Sequence, residues 1–320
     1  MSNIKSIGGK KVNFDFNKDF INVLSDKIKS SDIKFINQTL KDLHPSDVAN
    51  LIENLSAEKR SKLIEIEEFN IDPDIFIEIN ESVQTEILKE LSTDSISKIL
   101  KRLESDNSIK ILENLDTQKK LEVLDKLPPK DRFLLEEGLS YPEDSAARIM
   151  QREFTAVPSD WSVGQTIDYL RESKDLPEEF LEIFIVNNEF KPIGIVPSSR
   201  VLRTSRDTKM SKIMREMPVL ISVNMDKEEV GLAFENYNLV SAGVVNKENK
   251  LVGMITADDI VTVVQEEAEE DVLRLAGVGD EEITDSVIIK TKRRFNWLLL
   301  NLFTALLATW VISKFGASIE

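Results

Sequence analysis

The sequence predicts a multidomain chain of the α + α/β kind. In order it reads as an all-α superhelical N-terminal region, a duplicated βαββα unit, a long connecting helix and one transmembrane helix. Three observations carry that expectation. Leu and Ile fall on a twelve-residue grid from Leu43 to Leu139. Two stretches of about sixty residues align with each other between 147 and 271. A 21-residue apolar run, 295–315, follows a cluster of Lys and Arg.

The bulk numbers fit this. A chain of 320 residues holds about two or three domains. The net charge of −16 argues against a nucleic-acid partner, which would need a basic stripe. No Cys is present, so disulfides and thiolate metal sites are excluded, and the one His, His44, excludes a multi-histidine zinc site. There is no nucleophile–base pair and no phosphate loop, so the reading is not an enzyme.

Residues 1–15 read as a flexible lead without an apolar signal core. From 16 to 139 the chain is rich in Leu, Ile, Lys and Glu, and no Gly occurs between Lys10 and Gly138. The grid residues are Leu43, Leu55, Ile79, Leu91, Leu103, Leu115, Leu127 and Leu139, with Glu67 the one miss. Cap-like clusters follow most of them: HPSD at 44–47, SAE at 56–58, STD at 92–94, ESD at 104–106, PPKD at 128–131 and SYPED at 140–144. Each unit is a short helix and a turn, and stacked units make a solenoid. His44 reads as a capping or packing residue.

At 140 the composition changes. Strands are expected at 154–157, 182–186, 192–196, 219–223, 241–245 and 250–256, and helices at 162–173 and 226–237. This gives one module over 140–214 and a second over 215–265. A helix is expected over 259–275. Its apolar face would be Ile260, Val261, Val264, Ala268, Val272 and Leu275. Glu270 and Asp271 stand three and four residues after Glu267, and the three are within reach of one cation or of one facing surface. Like charges this close repel unless neutralised. A hydrated Mg²⁺ held by one or two carboxylates would relieve that, and a solvated acidic face is the plainer alternative.

The last stretch, 295–315, holds one charge, Lys314. At about 1.5 Å per residue it spans about 30 Å, the thickness of a bilayer core. Lys290, Lys292, Arg293 and Arg294 precede it, which places the preceding residues, to about 290, in the cytoplasm. Trp297 and Trp310 suit interfacial anchors.

The duplication resembles a tandem pair of cystathionine-β-synthase-like (CBS) modules. The second module has the marker Gly253-Met254-Ile255-Thr256-Ala257-Asp258-Asp259; the first has Pro197 and Arg200 at the Thr and Asp positions. Four blocks narrow the resemblance: LHPSDVANLIENL (43–55), YPEDSAARIMQREFTAVPSDWSVGQTIDYLR (141–171), EEAEEDVLRLAGV (266–278) and FNWLLLNLFTALLA (295–308). In that order they are similar to the MgtE family of magnesium channels: helical N-terminal domain, CBS pair, connecting plug helix (266–290 here) and first transmembrane helix.

That resemblance implies regulatory Mg²⁺ between the helical domain, the CBS pair and the plug helix, which closes the pore when the ion is bound. It implies Mg²⁺ as cargo as well. The matching carboxylates are Asp94, Asp226, Glu228, Asp259, Glu267, Glu270 and Asp271. Lys98, Asn238 and Thr262 stand where the family often has Asp, so the sites there should be weaker, and Lys98 is a candidate to pair directly with a carboxylate. ATP would meet Thr256 and Asp259. The resemblance further implies a homodimer through the CBS and membrane helices, in the cell inner membrane. The family has five membrane helices, and this sequence reaches Glu320 after the first, as a fragment or truncated form would. A second reading is a membrane-tethered CBS sensor of adenine nucleotides.

Overall fold

The computed structural model describes residues 18–41, 43–67, 72–177, 179–275 and 287–315. They fall into two compact units. One runs through Met225 and takes up Ser241–Ile255; the other holds Asp226–Val240 and the chain from Thr256 onward. The lead 1–15 and the part of the expected plug helix at 276–286 lie outside the described residues.

The first unit begins with ten short helices: α1 (Lys18–Lys29), α2 (Ile33–Lys41), α3 (Pro45–Glu53), α4 (Ala57–Glu67), α5 (Pro73–Glu78), α6 (Glu81–Glu90), α7 (Thr93–Leu100), α8 (Ser105–Glu113), α9 (Thr117–Asp125) and α10 (Pro129–Leu139). Their starts are chemical. His44 Nδ1 accepts from the Ser46 amide, Asp72 from Asp74, Asn80 from Ser82, Ser92 from Ser95, and Asp116 from Lys119. The grid marks the helix ends. Leu55, Ile79, Leu91, Leu115 and Leu127 are buried, and Leu43, Leu103 and Leu139 pack on the same core. In space α3 packs on α5, α4 on α6, α7 on α9 and α8 on α10. The structural repeat is therefore two helices, twice the sequence period. The SYPED cluster starts no helix: Ser140 closes α10, and 141–150 is irregular.

Residues 148–153, in and just after that irregular stretch, are strapped to the helices. Arg148 pairs with Glu113 at 3.0 Å and Arg152 with Glu137 at 3.0 Å, both arginines nearly buried. Ser105 donates to Glu153, and Gln151 to Glu104.

Next come β1 (Ala156–Pro158), α11 (Val163–Glu172), β2 (Glu182–Val186), β3 (Pro192–Pro197), α12 (Ser198–Leu202) and α13 (Met210–Ile213). The sheet order is β1-β2-β3; β1 runs parallel to β2, and β3 antiparallel with a bulge at Ile185/Val186. The second module contributes β4 (Ile221–Ser222), β5 (Ser241–Val245) and β6 (Leu251–Thr256) to the same unit, with β4 parallel to β5. The modules are crossed. Gln151 and Met254 exchange amide bonds of 2.7 and 2.9 Å, and Arg215 and Ile195 exchange bonds of 2.9 and 3.0 Å. The lead-in of each module thus closes on the last strand of the other. Two glycines permit that approach. A Cβ on Gly253 would stand 2.7 Å from the Gln151 carbonyl, and one on Gly194 would stand 2.8 Å from that of Arg215. At the centre Phe184 is fully buried and meets Phe154 edge-on, with ring centroids 6.3 Å apart.

The second unit holds α14 (Lys227–Tyr237), α15 (Ala257–Leu275) and α16 (Val287–Phe315). Helix α15 runs unbroken through the boundary expected between 265 and 266. The 295–315 run is helical, with the described large side chains from Phe295 to Ile312 exposed. Yet no helix among the described residues is long and apolar enough to cross a membrane. Asn301, Thr304 and Thr309 interrupt the described part of the run, and the side chains of the basic collar, Leu275 and Trp297 lie outside the described residues.

Candidate metal-responsive site

Asp226 starts α14 by accepting from the Glu228 amide at 2.8 Å. That puts Lys227 and Glu228 in the first turn. The helix stops at Asn238, which sits left-handed at φ 50°, ψ 51°. Asn tolerates that conformation better than most side chains, so this departure from Asp has a backbone role. Gly231 faces α15, where a Cβ would make ordinary van der Waals contact with Val264 at 3.4 Å.

Helix α15 buries Ile260 and Val263, and the same stripe continues into half-buried Glu267 and Glu270. This corrects the expected apolar face. Val261, Val264, Ala268 and Val272 are exposed instead. Both stripes begin with apolar residues, and packing against α14 selects the one that carries acids further along.

The result is a carboxylate pair with an ammonium beside it. Lys227 Nζ lies 2.9 Å from Glu267 Oε1, with the two side chains 19% and 17% exposed. Glu228 hydrogen-bonds the Glu267 carboxyl, and that bond, together with the charge of Glu267, raises the Glu228 pKa above its ordinary value. Desolvation, Asp226 and Asp271 add to the rise. Two carboxylates in this relation share a proton or attract a cation. Glu270 is half-buried on the same stripe, and Asp271 is exposed but within electrostatic reach of Glu228.

Asp259 and Asp94 have hydrogen-bond or ion-pair partners of their own. Asp259 accepts from both the Thr256 hydroxyl (2.5 Å) and the Thr256 amide (3.3 Å), which closes the turn into α15. The hydroxyl and carboxylate expected to meet a nucleotide are thus hydrogen-bonded to each other. Asp94 belongs to the other unit and pairs with Lys126 at 2.8 Å, which holds its carboxyl below the ordinary value. The charge of Lys98 adds to that lowering. Thr262 is exposed. Among the described residues no group of three or more His, Asp or Glu is arranged to hold a metal ion. Glu267 meets an acidic partner from α14, Glu228. What remains is two hard oxygen donors plus outlying charge, which fits a Mg²⁺ that keeps most of its waters and not a dehydrated cage.

Sequence reasoning missed Lys227. Its signal was its place in the first turn of α14 beside Glu228, but its partner forty residues on was not visible.

Residues 43–144 match the MgtE intracellular N domain, and residues 146–207 and 210–266 match the CBS domain. The magnesium transporter MgtE of Enterococcus faecalis is 26% identical over 186 residues, 58% of this chain and 41% of that protein. Its counterpart in Bacillus subtilis is 28% identical over 183 residues, 57% of this chain and 41% of that protein. This chain therefore spans about two fifths of the length of these relatives. A solved structure, the cytosolic domain of the Mg²⁺ channel MgtE in complex with ATP, superposes with a TM-score of 0.69 at 24% identity. It covers 76% of this chain and 99% of that one.

Proposed function

Because this chain belongs to the MgtE family, we propose that it is the magnesium-responsive regulatory portion of a magnesium channel or transporter. The observation that carries the reading is the Glu228–Glu267 carboxylate pair at the α14–α15 contact. Bound Mg²⁺ would supply the positive charge that lets these carboxylates sit close. Without it, Lys227 offsets one charge, and Glu228, Asp226 and Asp271 keep a net repulsion on the α14–α15 pair. Splaying of α15 would then be the signal, a population shift set by the different cation affinity of the two states. Glu270, Asp259 and, from the helical region, Asp94 are proposed as outlying carboxylates of the same response.

Residues 295–315 are proposed to lie in a membrane. The exposed leucines from Leu299 to Leu307, the preceding basic collar, and Lys314 placed 5.9 Å over the Trp310 ring support this. A homodimer is proposed on the exposed apolar side of α15. The domain limits are proposed as a helical domain at 16–139, CBS modules at 140–214 and 215–265, and a plug segment at 266–290.

The test is small-angle scattering and limited proteolysis with and without millimolar Mg²⁺. Contraction and protection of residues 1–285 are expected; identical curves and digests would overturn the reading. Adenine-nucleotide sensing is the second reading, and the Thr256–Asp259 turn is its observation. Separate calorimetric titrations of ATP and Mg²⁺ distinguish the two.

A further inference from the structure

Residues 200–215 break the charge rule of the chain. Arg200, Arg203, Arg206, Lys209, Lys212 and Arg215 recur at every third position, with Asp207 the one acid among them. The stretch is therefore +5 (six bases minus one acid) in a chain of net charge −16. All six cations are exposed. The Arg200 guanidinium donates to the Ile213 carbonyl at 2.8 Å, which ties α12 to α13. Arg206 pairs with Asp168 at 2.6 Å, and Arg215 approaches Glu182 at 3.6 Å. Arg203, Lys209 and Lys212 have no acidic partner among the described residues. The amides at the start of α11 are not available to an anion: Val163 and Gly164 donate to the carbonyls of Thr208 and Arg206.

Two leucines protrude beside these cations. Leu202 is 79% exposed and Leu181 is 70% exposed. They are neighbours, since the Ser198 amide that opens α12 donates to the Leu181 carbonyl, and Leu202 stands one turn further along α12. Cations flanking bare aliphatic tips suit an anionic lipid leaflet. The headgroups take the charge and the acyl boundary takes the leucines. A nucleic acid would want aromatic stacking platforms, and none is interleaved here. Glu179 and Glu216 border the span from Leu181 to Arg215 in the sequence.

We propose that Arg203, Lys209 and Lys212, with Leu202 and Leu181 at their edge, dock the first CBS module on an anionic membrane surface. The inference rests on the membrane reading above. The chain has no Cys, so Leu202→Cys in the full chain takes a single environment-sensitive fluorophore. The labelled chain is floated with phosphatidylcholine vesicles and with phosphatidylcholine–phosphatidylglycerol vesicles. The expected result is a blue shift on the anionic vesicles alone. It should be lost in about 0.5 M salt, and it should weaken about tenfold or more in lipid titration when Arg203, Lys209 and Lys212 are all changed to Glu. Thermal unfolding of that triple variant, whose sites are all exposed, confirms that it is folded. Equal emission on both vesicles overturns the proposal. So does a shift that follows protein concentration without lipid, or one driven by inorganic phosphate alone. Failure to float with either vesicle removes the membrane reading as well; flotation with an unmoved label removes this inference only.

Discussion

Lys227 holds its ammonium 2.9 Å from Glu267, and the same Glu267 carboxyl is the one that Glu228 meets. One cation thus answers two carboxylates. Lys227→Ala should loosen the α14–α15 pair by about 1–2 kcal/mol in metal-free buffer, and Mg²⁺ should restore more of that loss than it adds to the unaltered chain. Hydrogen exchange of the α15 amides measures both. Equal exchange in the two proteins would remove Lys227 from the switch.

Glu228→Gln should act in the opposite sense. It removes the repulsion and keeps a hydrogen-bonding partner for Glu267, so α15 should be protected without added Mg²⁺. The response of scattering to Mg²⁺ should shrink. An undiminished response would show that the ion acts elsewhere.

Burial pushes the Glu113 carboxyl above its ordinary 4.5, against the pull of Arg148. A raised acid means the folded chain binds this proton more tightly than the unfolded chain does. The Glu113 contribution therefore falls as pH rises from the ordinary value through the raised one, and is fully lost above it. Melting curves of the unaltered chain and of Glu113→Gln, taken across that window, should diverge in that direction. Parallel curves would contradict it.

Gly253→Ala drives a Cβ to 2.7 Å from the Gln151 carbonyl. Overpacking of this kind costs about 1–3 kcal/mol, and the loss should appear in thermal unfolding. Phe184→Ala, at the fully buried centre, should cost about 3–5 kcal/mol.

Asn238→Gly should leave stability level or raise it by a few tenths of a kcal/mol, whereas Asn238→Ala should lose about 1 kcal/mol at the left-handed position. Denaturant midpoints decide.

The helical ladder was legible because several of the short helices carry a side-chain cap and most grid positions hold a Leu or Ile at a helix end, which are local signals. The strands were legible from their β-branched runs. The crossing of the two modules was not: Gln151 and Met254 are a hundred residues apart, and neither residue type marks a pair. The face of α15 was misread for a similar reason. Val261 and Val264 are as apolar as Ile260 and Val263, and only the position of α14 chooses between them. The carboxylates themselves stood out in the sequence. Which of them meet depended on that same choice, so Glu228 and Glu267 came together while Asp259 turned to Thr256.

The reciprocal bridges Gln151–Met254 and Arg215–Ile195 give the CBS pair the logic of an exchanged dimer fused into one polypeptide. Each repeat donates its lead-in to its sister, so neither is complete when cut away. A single repeat would carry an open sheet edge at Gly194 or Gly253, ready to capture the same segment from another molecule. The smallest unit that such a duplication can pass on, recombine or trim is therefore the pair, and the continuity of the chain keeps the exchange within one molecule.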